Sequence, residues 1–276
     1  MVARMSSPEP RLPRHLVIPL LGSEAELLGV GTYGDTWRSG DRAVKILCGA
    51  PTDPRRVTRE VEALQRVDNP HVVRLYGLRR LSISSNDYQA LEFEFVPGGD
   101  ISERITAKDW PTVEQATSLL IALLQGLQAL HESGSIHRDL KPANIALRSR
   151  SWALPVILDL GLAKQLDAST VTIYPGLLGT PAYMAPEQLR GQPAHKASDL
   201  FAVGVVIHQL LLGRHPLYDP SESYELPDML RLIESGIPPI SLEYPEALRR
   251  VVTRLTSVQA YRRGSTRSNL QILGLG

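Results

Sequence analysis

The chain has 276 residues, of which 43% are hydrophobic and 21% are charged, and its formal net charge is +1. This length suits one large domain or two lobes with a substantial core, and the near-neutral charge gives no electrostatic reason to expect a nucleic-acid partner or binding to an anionic membrane. The one cysteine, Cys48, excludes an intramolecular disulfide framework and favours a reducing compartment, so we expect a cytoplasmic protein.

Neither a membrane span nor a signal peptide is predicted. The longest apolar run without a charge, residues 200–213, is too short to cross a bilayer and contains His208 and Gln209, which is typical of a core helix. Residues 1–23 contain four prolines and lack the apolar stretch and small residues of a signal peptide. We therefore expect a flexible N-terminal extension over residues 1–23.

From residue 24 onward the pattern predicts an α+β fold in two lobes. Apolar periodicity predicts strands over residues 25–30, 35–38, 42–47, 71–81 and 88–96, with a helix over 54–67. After a Pro-Gly-Gly break at residues 97–99, helices are predicted over 112–133, 198–212, 226–234, 245–255 and 266–273. We expect a small lobe (24–96) with an antiparallel sheet and one helix, a hinge (94–99) and a larger, mainly helical lobe (100–276).

Two short segments carry groups with catalytic potential. Residues 137–144 read His-Arg-Asp-Leu-Lys-Pro-Ala-Asn, and residues 159–161 read Asp-Leu-Gly. A magnesium–nucleotide site needs an aspartate that orients a hydroxyl nucleophile, and an asparagine and a second aspartate that bind metal. Both segments match the signature of protein kinases. From about residue 25 to its end, the chain resembles eukaryotic-like (Hanks-type) serine/threonine protein kinases.

The resemblance implies the two-lobed protein kinase fold and a role for each of these groups. Asp139 would accept or orient the proton of the substrate hydroxyl, and Lys141 would neutralise the γ-phosphate during transfer. Asn144 and Asp159 would bind Mg²⁺, with Mn²⁺ as an alternative, beside ATP. A lysine two positions after Asp139 resembles serine/threonine kinases rather than tyrosine kinases. His137 is expected to be structural.

Residues 29–34 form a GxGxxG pattern, which alone is weak evidence because dinucleotide-binding folds share it. In those folds the glycines open a helix, whereas here a predicted strand follows, as in the kinase phosphate loop. The resemblance assigns nucleotide contacts to Gly29, Val30, Gly31, Gly34, Thr36, Ala43, Lys45, Glu94, Val96 and Ala146. Thr36 stands where the family usually has valine, and Ala146 where it has a larger apolar residue, which implies a roomier adenine pocket.

Lys45 lies on an otherwise apolar predicted strand. By resemblance, Glu60 on the following helix would hold Lys45 against the α- and β-phosphates. Glu62 is the alternative partner, but on a helix it points about 200° away from Glu60 and is expected to face solvent. Phe93 would stand at the back of the adenine pocket.

The segment from Asp159 to Glu187 resembles a kinase activation segment. Thr170 and Thr172 are candidate autophosphorylation sites from their location, although either is equally well explained as an ordinary surface-loop residue. Residues 179–187 read Gly-Thr-Pro-Ala-Tyr-Met-Ala-Pro-Glu and resemble the substrate-docking end, where Thr180 again favours a serine/threonine kinase.

Two further residues are expected to stabilise the helical lobe. The resemblance implies a buried ion pair between Glu187 and an arginine in the last helices, with Arg263 as the candidate. It also implies that Asp199 braces the backbone of the catalytic loop, while a simple helix N-cap is the alternative role.

The sequence therefore predicts an active ATP-dependent serine/threonine protein kinase, with ATP and protein substrates as its partners. A non-catalytic scaffold or nucleotide-sensing switch is a second hypothesis, supported only by Thr36 and Ala146. A small-molecule kinase is a third, and the peptide-docking segment over residues 179–187 argues against it. A homodimer and the identity of the substrate stay open.

The short loops resemble bacterial members of the family. Such kinases often carry a transmembrane tether and a sensor domain, and this sequence contains neither. It therefore corresponds either to a kinase without a tether or to a catalytic fragment.

Overall fold

The computed structural model describes residues 9–31, 34–48, 54–160, 181–219 and 221–275, with only the backbone for residues 54–57, 59 and 60. The chain divides into two compact units. Unit 1 takes in the described residues up to Arg66 together with Arg74–Phe95. Unit 2 takes in Val67–Val73 and the described residues from Val96 onward.

Unit 1 is built on a five-stranded antiparallel sheet with the strand order β1-β2-β3-β5-β4. Its elements are α1 (Arg14–Leu21), β1 (Glu26–Gly31), β2 (Gly34–Ser39), β3 (Arg42–Leu47), α2 (Pro54–Gln65), β4 (Leu75–Ile83) and β5 (Asn86–Glu94). All five predicted strands and the predicted helix are present, with ends that differ by a few residues. The core lies on one face of the sheet, where the side chains of Trp37, Val44 and Ile46 are fully buried.

Helix α1 differs from the expected flexible extension. Val17 is fully buried, and Leu12 and Leu21 are each 8% exposed, in the same apolar cluster as Trp37. A carboxylate oxygen of Asp35 in β2 accepts hydrogen bonds from the backbone N–H groups of Arg11 (2.7 Å) and Leu12 (3.3 Å). The expectation of flexibility is therefore wrong for residues 11–21, because these residues cover one face of the sheet. The sequence did not predict this helix, because it has only eight residues and contains Pro19, which disfavours a helix interior.

The burial of α1 predicts that alanine substitutions at two adjacent leucines change the free energy of unfolding by different amounts. Leu21→Ala should lower the free energy of unfolding of unit 1 by about 2–3 kcal/mol, because it removes buried methyl groups and leaves a cavity. Leu20→Ala is the matched control, since Leu20 is 41% exposed, and should change it by less than about 0.5 kcal/mol. Urea denaturation of both variants measures the difference. Equal small effects would mean that α1 does not pack on the sheet in solution.

Unit 2 is mainly helical and contains one short two-stranded ribbon. Its helices and strands are α3 (Ile101–Thr106), α4 (Val113–Glu132), β6 (Ile145–Leu147), β7 (Pro155–Ile157), α5 (Pro186–Leu189), α6 (Lys196–Leu212), α7 (Leu226–Glu234), α8 (Glu246–Leu255) and α9 (Thr266–Ile272). Four 3₁₀ helices accompany them in the described part of unit 2, at Pro142–Asn144, Arg148–Arg150, Pro181–Tyr183 and Ala260–Arg263. The five predicted helices are present, whereas α3 and the short α5 were not predicted.

The core of unit 2 forms around α4 and α6, which are apolar on nearly all sides and therefore buried. The predicted capping box of α4 is present, with the N–H of Gln115 donating to the Thr112 hydroxyl and the N–H of Thr112 donating to the Gln115 amide. Helix α8 packs closely on α6 at Gly204, where an added Cβ would lie 2.7 Å from the Cβ of Leu255. Gly204 is in the middle of α6, so this close approach holds the centre of α6 against the end of α8.

Among the described residues, no helix combines the length and the apolar character that a membrane crossing requires.

Candidate active site

The two predicted metal-binding residues lie at the same end of the β6–β7 ribbon. The strands pair antiparallel, with Ile145 opposite Ile157. Asn144 immediately precedes β6, and its carbonyl oxygen accepts a hydrogen bond from the N–H of Leu158, just beyond β7, at 2.9 Å. The next residue is Asp159, so the short ribbon brings an amide side chain and a carboxylate side chain from separate segments to one edge of unit 2.

Asp139 is the centre of a polar cluster beside this edge. The Asn144 side-chain amide donates to the Asp139 carbonyl oxygen at 2.7 Å and to its carboxylate at 3.4 Å. Lys141 Nζ donates to the same carboxylate at 3.1 Å. The side chains of Asp139 and Lys141 are 16% and 24% exposed, so both remain accessible to a substrate from solvent. The structure thus brings together three of the predicted functional groups.

His137 has structural contacts, as the sequence predicted. Its ring is fully buried, and Nε2 lies 2.6 Å from the carbonyl oxygen of Leu158. Nδ1 accepts a hydrogen bond from the backbone N–H of Asp139 at 3.3 Å. This pairing assigns the proton to Nε2, since a carbonyl oxygen can only accept. The imidazole therefore ties the catalytic loop to the segment that precedes Asp159.

Asp199, in the first turn of α6, braces the catalytic loop as expected. Its side chain is 1% exposed. One carboxylate oxygen accepts from the N–H of Arg138 at 2.8 Å, and the other accepts from the N–H of His137 at 2.9 Å and contacts His131 Nε2 at 2.8 Å. Arg138 has a φ of +69°, which is unfavourable for a residue with a side chain. The carboxylate of Asp199 holds the loop in this strained conformation.

Asp199→Asn should reduce both stability and activity. The asparagine amide group would face backbone N–H donors, so at least one buried donor loses its acceptor, at a cost of about 1–3 kcal/mol. Because the loop carries Asp139, we expect any activity that depends on the position of this carboxylate to fall by at least about tenfold. Thermal unfolding and steady-state kinetics measure the two effects. Asp228→Asn, at an exposed pair with Arg231, is the control; wild-type activity in Asp199→Asn would contradict the bracing role.

Two contacts in this region have no clear signal in the sequence. Gln188, in α5, donates from its side-chain amide to the carbonyl oxygen of Arg138 at 3.0 Å, which links the end of the docking segment to the catalytic loop. His131, in α4, shares the carboxylate of Asp199. Gln188 directly follows the nine-residue motif over residues 179–187, and this adjacency was the only available clue.

Glu187 and Arg263 form the expected buried ion pair. Two parallel hydrogen bonds of 2.7 and 3.0 Å join the guanidinium to the carboxylate, which also accepts from the Ser198 hydroxyl at 2.7 Å. Arg263 is fully buried, and its remaining N–H groups donate to the carbonyl oxygens of Ser257, Ala197 and Val258. Burial alone would raise the pKa of Glu187, but the hydrogen bonds from Arg263 and Ser198 and the arginine charge outweigh it, and the pKa is lowered.

Unit 1 carries the residues predicted to contact the nucleotide phosphates. Gly29, Val30 and Gly31 lie in β1, and Gly34 begins β2. Gly34 has a φ of +153°, and an added Cβ would collide with the carbonyl oxygen of Ile46, so this position of the loop accepts glycine alone. The first residue of β2 therefore packs tightly against the end of β3, next to the segment where the sequence predicted a phosphate loop.

Lys45 lies in the middle of β3, with Thr36 of β2 and Leu91 of β5 as its neighbours in the register. It is 7% exposed, so it is not an ordinary solvated lysine of a sheet edge. Ala43, also in β3, pairs with Phe93 of β5. Glu94 is the last residue of β5. Glu60 lies in α2, where the structure describes only its backbone.

The remaining predicted residues lie in unit 2 or outside the described residues. Val96 is half-buried, and Ala146 is 2% exposed in β6, where it forms a β-bridge with Asp100. Thr170, Thr172 and Thr180 lie outside the described residues.

The donor set of unit 2 fits a hard metal ion bound together with phosphates. Asn144 and Asp159 offer only oxygen ligands, which suit Mg²⁺. Among the described residues, no group of three or more His, Cys, Asp or Glu side chains could hold a metal alone.

Known proteins are similar to this chain in sequence. The calcium/calmodulin-dependent protein kinase type II alpha chain of Drosophila melanogaster is 33% identical over 171 residues, which cover 62% of this chain and 31% of that protein. Subunit delta of the enzyme from Oryctolagus cuniculus is 34% identical over 171 residues, again with 62% and 31% covered. The chain thus matches less than a third of the length of these curated relatives.

A solved structure supports the fold over a larger part of the chain. The crystal structure of Rad53 1-466 in complex with AMP-PNP has a TM-score of 0.69 and 24% identity, and the match covers 91% of this chain and 64% of that one. The family model described as the protein kinase domain matches residues 23–272. Because this match takes in both units of the fold, the chain belongs to the protein kinase domain family.

Proposed function

We propose that this protein is an ATP-dependent serine/threonine protein kinase that transfers the γ-phosphate of ATP to hydroxyl groups of proteins and of its own activation segment. The observation that carries the proposal is the cluster in which Lys141 and Asn144 both donate to the carboxylate of Asp139. Phosphoryl transfer needs a positioned nucleophile and charge neutralisation more than covalent chemistry, and this cluster offers groups for both.

Each group in the cluster has a role that its chemistry can fill. The carboxylate of Asp139 accepts a hydrogen bond from the substrate hydroxyl and orients its oxygen for attack. The ammonium of Lys141 stabilises the negative charge that is spread over the transferred phosphoryl group. Asn144 and Asp159 would bind Mg²⁺, and Lys45, held by Glu60, would bind the α- and β-phosphates. A Mg²⁺ ion held by these two residues would supply positive charge that offsets the negative charge of the ATP phosphates.

Two sequence features support hydroxyls of serine and threonine as the acceptors. Lys141 occupies the position that resembles serine/threonine kinases, and Thr180 lies in a docking motif of the same type. The curated relatives named above are called calcium/calmodulin-dependent protein kinases, which supports proteins as the substrates. For autophosphorylation, Thr170 and Thr172 are the proposed sites.

Intact mass spectrometry after incubation with Mg-ATP tests the proposal. We expect the wild-type protein to gain phosphate, with fragment masses that assign it to Thr170 or Thr172, and Asp139→Asn to gain none. Parallel reactions with Mg²⁺ and Mn²⁺ compare the two metals. No phosphate on the protein or on serine and threonine peptides, together with no thermal shift from Mg-ATP, would contradict the proposal and favour a scaffold.

We also propose a cytoplasmic location and a bacterial type of kinase. The location is supported by Cys48, the single cysteine of the sequence, which is a free thiol. The bacterial type is supported by the short loops, although the relatives reported above come from a fly and a rabbit. Fractionation of the producing cells tests the location. A homodimer also stays a proposal, and light scattering of the purified protein tests it.

A further inference from the structure

The turn that follows α6 makes a polar contact with the 3₁₀ helix Pro181–Tyr183. The helix α6 ends at Gly213, whose φ of +69° is the left-handed conformation that commonly ends a helix and reverses the chain. Two residues later, the ring nitrogen Nε2 of His215 lies 3.1 Å from the carbonyl oxygen of Ala182. These residues are 33 positions apart in the sequence, so the contact joins two separate segments of unit 2.

The other contacts of His215 determine which ring nitrogen carries the proton. Nδ1 accepts hydrogen bonds from the backbone N–H groups of Leu217 at 3.2 Å and Tyr218 at 3.0 Å. A nitrogen that accepts carries no proton, so the proton is on Nε2, which donates to the Ala182 carbonyl oxygen. Burial lowers the pKa of His215 to about 4, so the ring is neutral at neutral pH and keeps both roles.

Aromatic contacts hold the His215 ring in this position. It stacks on Tyr218, with ring centroids 4.9 Å apart, and meets the edge of Tyr183 at 5.4 Å. The Tyr183 hydroxyl donates to the side-chain oxygen of Gln209 in α6 at 2.6 Å, and the Tyr218 hydroxyl donates to the carbonyl oxygen of Met229 in α7 at 3.1 Å. The short 3₁₀ helix is therefore held by α6 and by the turn after it, and that turn is anchored to α7.

We propose that His215 is a positioning residue for the protein substrate: by donating from Nε2 to the Ala182 carbonyl oxygen, it fixes the backbone of the segment on which a substrate peptide docks. This inference rests on the proposed function, because Ala182 belongs to the motif over residues 179–187 that resembles the substrate-docking end of kinases. The contact acts on the peptide side of the reaction. Its loss should therefore weaken peptide binding and leave ATP binding unchanged.

Two substitutions separate the two hydrogen-bonding roles of the ring. His215→Asn places an amide oxygen near the position of Nδ1, where it can accept from the backbone N–H groups two and three residues on, as in an Asx turn, but it is too short to reach Ala182. His215→Gln is longer and places an amide N–H donor near the position of Nε2, so it keeps the contact with Ala182 and loses the acceptor for the turn. Both variants lose the aromatic stacking, so they differ in the contact that the proposal concerns.

Steady-state kinetics of the full chain with a serine peptide test the proposal at a temperature where every variant is folded. We expect His215→Asn to raise the KM for the peptide by about three- to tenfold, which corresponds to the loss of one hydrogen bond. The KM for ATP and the rate of ATP hydrolysis without peptide should stay within about twofold of the wild type. His215→Gln should restore the peptide KM to within about twofold. His15→Asn, at an exposed histidine of unit 1, is the matched control and should behave as the wild type.

Hydrogen–deuterium exchange gives a second readout that does not depend on activity. The backbone N–H of Met184 donates to the carbonyl oxygen of Pro181 at 3.0 Å, within the same short helix that His215 holds. Release of the Ala182 carbonyl oxygen should let this helix open more often, so its amide protons should exchange faster in His215→Asn than in the wild type. Exchange in His215→Gln should stay close to the wild type.

Three results would overturn the proposal. An unchanged peptide KM in His215→Asn would mean that the contact does not position the substrate. Equal rises in His215→Asn and His215→Gln, or an equal rise in the KM for ATP, would indicate a general loss of packing around the ring. A wild type that phosphorylates no peptide would contradict the proposed function itself, and faster exchange in His215→Asn would then limit His215 to a structural contact.

Discussion

Asp139→Asn should lower the turnover number for a serine or threonine peptide by about 10²–10⁴-fold, because an amide cannot accept the proton of the substrate hydroxyl. The variant keeps the size of the side chain, and the backbone contacts of Asp139 with His137 and Asn144 remain available. The melting temperature should therefore change by no more than about 2 °C. Steady-state kinetics at saturating Mg-ATP measure the loss.

The controls for Asp139→Asn separate chemistry from folding and from nucleotide binding. Asp109→Asn removes a half-exposed carboxylate that pairs with Arg104, and should leave the turnover number within about twofold of the wild type. The KM for ATP should change little in Asp139→Asn, because this carboxylate is assigned to the acceptor hydroxyl and not to the nucleotide. A rise in the KM for ATP with an unchanged turnover number would contradict the assigned role.

Glu187→Gln should lower the free energy of unfolding of unit 2 by about 3–5 kcal/mol, because it leaves the guanidinium of Arg263 buried without a counter-charge. This is a large part of the total stability of a typical domain, which is about 5–15 kcal/mol. Glu234→Gln is the matched control, since Glu234 pairs with Arg190 at side chains that are 46% and 39% exposed, and should cost less than about 1 kcal/mol. Urea denaturation at neutral pH compares the two variants.

Because the pKa of Glu187 is lowered, the contribution of this ion pair to stability depends on pH. A carboxylate whose pKa is lower in the folded state stabilises the fold above its unfolded pKa, which is about 4.5 for this glutamate. This contribution is lost as the pH falls from that value through the folded pKa. The wild type should therefore lose stability over this acidic range more steeply than Glu187→Gln. Parallel pH dependences for the two proteins would contradict a contribution from the ionised pair.

Local sequence patterns predicted the elements that depend on neighbouring residues. The capping box of Thr112 and Gln115, the apolar helices α4 and α6, and the five strands of the sheet are all present. The resemblance to kinases correctly paired Glu187 with Arg263 and assigned Asp199 to the catalytic-loop backbone. Short motifs that recur in a family allow such contacts to be predicted even when the two partners are far apart in the chain.

Features that depend on packing between distant segments were not predicted. Helix α1 contains Pro19 and is too short for a periodic pattern, and its stability comes from the sheet beneath it. The contact of Gln188 with Arg138 requires the fold to be known. His208 was seen in the sequence only as part of an apolar run, and its ring nitrogens, which have no hydrogen-bond partner among the described residues, could not be identified from that run.

The anchoring of α1 has a consequence for where the protein can be shortened. The family match begins at residue 23, so a chain cut there would look like a complete catalytic domain. Such a cut removes Leu12, Val17 and Leu21 and uncovers the apolar side of β2 and β3 around Trp37. Exposed apolar patches of this kind promote self-association. A protein trimmed at the family boundary should therefore be more prone to aggregate than one that retains residues 9–22.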